Sequence, residues 1–294
     1  MATKAKSTSR ARSTKTTRPA AAKAASTKKT VSRTAPIAVA KVEKPNLNLS
    51  NDLNGVEVIG EMLGTFLLVS IVTATGGNAF LVGIALIVIV AMLFNVSGAH
   101  VNPAVSFGFW AMRRISAVKM FFYWMAQFVG AIAAILAVSA FSGDKVNISL
   151  ASFTQWDWYV VAAELLGASV FMFGIAAAVT RGKNDSERGL GIGLALFLAL
   201  LVSGGLLQQA VTTATAKQQQ TTEAKEMPRI TKLSGTTLNP AVALSQSEAD
   251  TSNALGGQTK STTASRLTLE TIVGTLIGAG IGGRLYMLLS RNRS

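Results

Sequence analysis

Ser97-Gly98-Ala99-His100-Val101-Asn102-Pro103-Ala104-Val105 recurs, altered, as Ser234-Gly235-Thr236-Thr237-Leu238-Asn239-Pro240-Ala241-Val242. A shorter pair, Glu61-Met62-Leu63-Gly64 and Glu164-Leu165-Leu166-Gly167, keeps the same order. The Glu-to-Glu offset is 103 residues and the Asn-to-Asn offset 137, so the second copy carries about 34 extra residues. These are most simply inserted between Gly204 and Ser234. Within each copy, Asn is a good helix N-cap and Pro suits the first helical turn, where its missing N–H has no intrahelical partner. Pro103 and Pro240 therefore read as starts of short helices, and the residues before each Asn as non-helical.

Outward from these motifs lie six long apolar stretches, near 57–75, 79–96, 118–141, 158–180, 189–207 and 268–289. Most approach the roughly 20 residues that cross a bilayer core as a helix. Mean hydropathy of +0.40 with only 14% charged residues leaves too little polar surface for a soluble domain. Backbone polar groups in lipid need internal partners, so an all-α membrane protein is expected. The stretch after Pro103 is too short to span, so each Asn-Pro-Ala begins a re-entrant half-helix. The expected fold is thus six transmembrane helices plus two half-helices.

Three spans per half is an odd number, so the second half lies inverted relative to the first, and symmetry-related features share one depth near the midplane. Residues 51–143 and 151–294 are read as the two halves of one channel-like domain. Non-helical backbone at that depth must be buried in protein or line a wet cavity. It presents the carbonyls of Gly98, Ala99, His100 and Val101, and of Gly235, Thr236, Thr237 and Leu238.

Net charge is +14, but residues 1–45 hold twelve Lys/Arg against one acid and so account for +11 of it. Residues 1–50 are read as a disordered basic tail, with too little apolar surface to offset ordering entropy. Three roles compete for it: a cytoplasmic arm touching anionic lipid, a nucleic-acid contact, and an organellar transit peptide. Arg113, Arg114 and Lys119, then Arg181, Lys183 and Arg188, then Arg291 and Arg293 fall on the tail's side of six crossings. The positive-inside rule puts both termini in the cytoplasm, and the expected location is the plasma membrane. Residues 208–267 are polar, with an extracellular insertion near 208–233.

With these motifs, and with Tyr123-Trp124-x-Ala126-Gln127-x-x-Gly130-Ala131 and Val273-Gly274-x-x-x-Gly278-Ala279, the chain from about Val56 to Leu289 resembles the aquaporin (major intrinsic protein) family. The resemblance implies a homotetramer of pores passing water or small neutral solutes such as glycerol. It implies that Asn102, Pro103, Ala104, Asn239, Pro240 and Ala241 form the pore motifs. It also implies that Glu61 and Glu164 brace the re-entrant loops by accepting backbone hydrogen bonds.

The chain departs from that pattern at Val242, where the family usually has an Arg that lines the outer constriction. Matching by spacing gives Val82, Leu200, Thr236 and Val242 as the filter set. Such a filter carries no cation and no bulky aromatic, and is expected to be wide and greasy. The Asp common in glycerol-conducting members is replaced by the run Ala243-Leu244-Ser245. Arg229, in the long loop, is a candidate substitute for the missing Arg. A passive channel for water and small uncharged solutes is expected. Val242 opens the alternatives of a pathway passing ammonia, gases or ions, and the tail and loop that of an interaction protein on a closed channel scaffold.

Other features have plainer readings. His100, with an unperturbed pKa near 6.5, is a pH-sensor candidate but reads first as a packed pore histidine. Gly60, Gly64, Gly130, Gly167, Gly174, Gly274 and Gly278 read as close helix contacts. Trp110, Trp124, Trp156, Trp158 and Tyr159 read mostly as interfacial anchors. Cysteine is absent and histidine single, so thiolate and multi-histidine metal sites are excluded. No nucleophile–base pair or phosphate loop stands out, so neither cofactor nor enzymatic activity is expected.

Overall fold

The computed structural model describes residues 53–143, 148–219, 229–248 and 264–291. The basic tail, the middle of the insertion (220–228) and residues 249–263 lie outside the described residues. Among the described residues eight α-helices run in order: α1 Gly55–Ala74, α2 Ala79–Ser97, α3 Pro103–Ala111, α4 Ala117–Ser142, α5 Trp158–Arg181, α6 Asp185–Gln219, α7 Pro240–Ser245 and α8 Leu269–Ser290. A 3₁₀ turn, Arg229–Lys232, follows α6. Six of the helices are long and apolar enough to cross a membrane. The remaining two, α3 and α7, are the half-helices. At 1.5 Å per residue, the nine residues of α3 reach about 13 Å, less than half of a ~30 Å hydrocarbon core.

Local chemistry fixes the helix starts. Asn54, Asn78, Asn102, Ser116, Asp157, Asn239 and Thr268 each cap a helix, a side-chain oxygen accepting a first-turn N–H. Glycine at positive φ ends α2 (Gly98, φ 87°) and α4 (Gly143, φ 74°), as left-handed C-caps require.

Contacts between helix ends show the inversion. The Lys119–Glu57 ion pair (2.9 Å) joins the starts of α1 and α4. Across the molecule, the Asp157 N–H donates to Glu270 at 2.5 Å and joins the starts of α5 and α8. Arg284 Nε, near the end of α8, donates to the Ala111 carbonyl at the end of α3. The end of α8 therefore lies on the side where α1 and α4 begin, and α5 and α8 begin on the other. Each half-helix packs on the last span of the opposite half, α3 on α8 and α7 on α4. The halves meet in one apolar core that includes Val69, Val90, Val101, Met172, Ala199 and Leu238.

Glycines set the closest approaches. A Cβ at Gly130 would strike the Met62 carbonyl, and one at Gly278 the Leu165 carbonyl, which is the same contact in each half. Gly83 and Gly193 face each other where α2 crosses α6.

Two expectations change. The polar segment from 208 is not loop from its first residue: α6 continues to Gln219, 35 residues in all and far longer than a span needs. Its extension keeps helical spacing, with Ala210, Val211 and Ala214 packing on Leu207, Ile230 and Leu233, while the hydroxyls of Thr212, Thr213 and Thr215 bond carbonyls four residues back. Trp124 is an inward brace, its indole N–H donating to the Pro103 carbonyl at 2.8 Å.

Gly278→Ala should lower the stability of the detergent-solubilised protein by about 1–3 kcal/mol, because the added methyl meets backbone that has no room to yield. Gly205→Ala, with nothing within 4 Å of the new methyl, should be neutral or slightly stabilising in the same thermal melt.

Candidate functional site

Two loops, 98–102 and 235–239, turn inward between the halves, and each has backbone N–H groups that helices would otherwise satisfy. Buried carboxylates accept them. Glu61 Oε1 accepts the His100 N–H (2.8 Å) and the Ser97 hydroxyl (2.7 Å), while Oε2 accepts the Val101 N–H (2.6 Å) and Gln127 Nε2 (2.8 Å). Glu164 Oε1 accepts the Thr237 N–H (2.8 Å) and hydroxyl (3.1 Å), and Oε2 accepts the Leu238 N–H (2.8 Å). Both carboxylates are fully buried.

These contacts hold backbone that would otherwise be costly. Ala99, Val101 and Leu238 have φ of 50°, 43° and 53°. Such left-handed conformations are unfavourable without glycine, most of all for a β-branched residue. Their effect is to turn two carbonyls toward the opposite half. Asn102 Nδ2 donates to the Leu238 carbonyl (2.9 Å), and Asn239 Nδ2 donates to the Val101 carbonyl (3.0 Å). Each Asn oxygen caps its own half-helix, at Ala104 N (2.8 Å) and Ala241 N (2.9 Å). A primary amide has two N–H donors. One per Asn is committed across the dyad, and the second is left for whatever occupies the space beside it.

That space is a cavity running between the halves, across the dyad, from Gly76, Gly77 and Gln246 at one end to Phe109 and Val179 at the other. Its wall repeats the internal offsets. Leu68 and Val72 of α1 pair with Phe171 and Ile175 of α5 at 103 residues, and Val105 pairs with Val242 at 137. The wall is mainly apolar, with one polar stripe from the two loops and their Asn residues.

Most of the sequence-predicted residues come together here. Gly98, Ala99, His100, Val101, Asn102, Gly235, Thr236, Thr237 and Asn239 line the cavity, as do Val82, Leu200 and Val242. Pro103, Ala104, Pro240 and Ala241 sit behind, in the buried first turns of α3 and α7. Leu238 departs from expectation and is not among the lining residues. Its carbonyl is taken by Asn102 and its side chain packs toward Gly167.

Two expectations about arginine are corrected. Arg229 does not reach the cavity, because Glu248 and Glu270 hold it. Those hydrogen bonds outweigh the desolvation that acts against its charge and raise its pKa. The wall beside Val242 is nevertheless not free of cations, because Arg266 lines the cavity there. Its Nη2 donates to the Gly235 carbonyl and lies 3.9 Å from Glu164 Oε1. Nothing local marks Arg266 in the sequence, where it is one of several basic residues in a polar stretch before α8.

His100 is packed rather than solvated. It stacks on Phe109 (4.4 Å between centroids), meets Tyr123 edge-on, and its Nδ1 lies 3.1 Å from the Ser106 hydroxyl.

Six spans, two inverted halves and paired half-helices closing on one cavity define a class of membrane protein. The family model of the major intrinsic proteins matches residues 53–216. The chain belongs to that family. A maize protein named Aquaporin NIP2-3 is 29% identical over 55% of this chain and 60% of its own length. A rice protein named Probable aquaporin TIP1-2 is 35% identical over 42% of this chain and 48% of its own. The matches thus span about half to three-fifths of the curated relatives. A crystal structure of the aquaglyceroporin from Plasmodium falciparum aligns at 18% identity and a TM-score of 0.48, covering 81% of this chain and 95% of that one.

Glu61→Ala should cost about 3 kcal/mol or more, because it leaves buried loop donors without a charged acceptor. Glu61→Gln, which keeps one carbonyl oxygen, should lose less. Thermal unfolding followed by size-exclusion of the detergent-solubilised protein ranks the two, and equal losses would contradict the bracing geometry.

Proposed function

We propose that the chain forms a passive transmembrane channel for water and small uncharged solutes. The observation that carries this reading is the crossed pair of hydrogen bonds from Asn102 and Asn239. It holds two half-helix N-termini against one axial cavity and leaves an amide N–H on each side for a passing oxygen. Each helix start carries the equivalent of about half a positive charge. Two such ends at one constriction oppose cations while leaving neutral solutes unaffected. Apolar walls give such a solute few partners to leave behind, so the polar stripe orients it without trapping it.

The filter set Val82, Leu200, Thr236 and Val242 favours a solute with some apolar surface, such as glycerol, alongside water. The Thr236 hydroxyl is within 2.6 Å of Ser203, so it is partly engaged already. The same apolar set supports a second reading, passage of ammonia or dissolved gases, which need no hydrogen-bond stripe. No chemical step is assigned to any residue, and the protein is read as a non-enzyme.

The charge pattern supports the orientation of the chain, and the family resemblance supports a tetramer. The protein is read as sitting in the plasma membrane as a homotetramer, with both termini cytoplasmic. The charge of its basic tail supports contact with anionic lipid.

Stopped-flow light scattering on proteoliposomes tests the channel. Osmotic water permeability or glycerol uptake should exceed that of empty liposomes, and equality in both would remove the proposal. Permeability should also be flat from pH 8 to pH 5. The His100 ring is enclosed by Phe109, Tyr123 and the Ser106 hydroxyl, and no carboxylate is among these contacts to stabilise a charged form. A midpoint near pH 6.5 that disappears in His100→Ala would show the ring to be a gate.

A further inference from the structure

The segment 264–268 is clamped onto the end of α7. Glu248 N–H donates to the Ala264 carbonyl (2.9 Å) and Arg266 N–H to the Gln246 carbonyl (2.9 Å), an antiparallel pair around the Ser247–Ser265 bridge. The Ser265 hydroxyl bonds the carbonyls of Ala243 (3.1 Å) and Leu244 (3.2 Å). This clamp fixes Arg266 beside Val242 and Thr236 on the cavity wall, with the side chain 97–98% removed from solvent. Its Nε has no hydrogen-bond partner among the described residues. A buried guanidinium with an unused donor is unusual, because the orphaned group bears the full desolvation cost.

The two halves differ in what stands beside the buried carboxylate. In the first half, the carboxylate of Glu61 is completed by Gln127, a neutral amide. In the second half, Thr275 stands at the matching position and bonds the Thr271 carbonyl instead, so Arg266 stands near Glu164 in its place. The other two carboxylates of the region, Glu248 and Glu270, belong to Arg229 and do not line the cavity. Arg266 is among the residues that line the cavity, and Glu164, Glu248 and Glu270 are not.

We propose that Arg266 is the selectivity cation of this channel, reaching the outer part of the lumen from the segment before α8 to exclude cations and protons and to donate hydrogen bonds to neutral solutes. Arg266 stands 24 places beyond Val242 in the chain, and the two line the same cavity. This assignment rests on the channel reading above.

The test uses full-length protein in proteoliposomes, with osmotic water flux by stopped-flow and sodium and proton flux by entrapped dyes. The wild type should pass water and no cation above the empty-liposome level. Arg266→Val should raise the ratio of cation flux to water flux at least about tenfold over the wild type, the scale expected on removing a unit charge from a low-dielectric wall. Returning the charge in the double variant Val242→Arg/Arg266→Val should suppress that flux, a rescue that a purely structural role for Arg266 would not give. Arg266→Val passing water with unchanged cation flux overturns the assignment alone. A wild type that passes neither water nor glycerol overturns the channel reading instead. Where Arg266→Val yields no folded protein, the wild type and Arg266→Lys decide: both should exclude cations, and a wild type that leaks sodium overturns the proposal.

Discussion

Two buried carboxylates hold the centre of this molecule together. Glu61 and Glu164 each take the N–H groups of two consecutive loop residues, at a depth where water is not available to take them. Only with those donors satisfied can Val101 and Leu238 rest at positive φ, and only that conformation aims their carbonyls across the dyad. The crossed Asn bonds depend on those carbonyls, and the meeting of the half-helices depends on the Asn bonds. A charged acceptor suits the task, because hydrogen bonds to ionised groups are roughly twice as strong as neutral ones. Strain from the left-handed residues and desolvation of the carboxylate are offset in the same contact.

The symmetry is tight where backbone meets backbone and loose where side chains complete it. Gly130 against Met62 and Gly278 against Leu165 are one contact made twice. Beyond that layer the halves diverge. The first half-helix has nine residues and the second six. Gln127 completes one brace, and an arginine from outside the repeat stands beside the other. The second half also carries the long extension of α6, whose 3₁₀ partner at Arg229–Lys232 leads back toward the loop at Ser234.

Much of this was legible in the sequence because it is written in local or repeated signals. The six spans appear as hydropathy, the half-helices as Asn-Pro in short apolar runs, and the inversion as an odd number of spans between copies. Tertiary facts with no local signature were not legible. Polarity after Leu207 reads as loop, yet Ala210, Val211 and Ala214 keep helical spacing and a packing partner. Trp124 reads as an interfacial anchor because its bond to Pro103 joins residues 21 apart. Leu238 reads like its neighbours in the loop, but its carbonyl has a partner 136 residues away. Spacing from Asn239 identified Val242 as an empty place for a cation. It could not show which of the basic residues of the long connection fills the wall beside it.

Arg229 and Arg266 settle that choice by physics rather than position. Arg229 has two carboxylates within hydrogen-bond distance, and such a pairing keeps a guanidinium charged but spends its field locally. Arg266 has one carboxylate, at 3.9 Å and already engaged by three other donors, together with a neutral carbonyl. Burial pulls its pKa down, with Glu164 acting the other way, yet guanidinium starts so high that it stays ionised in proteins. A residue that keeps its charge while its partner is mostly committed elsewhere projects that charge into the space it faces. The same clamp that hides Arg266 from solvent therefore delivers its field to the cavity.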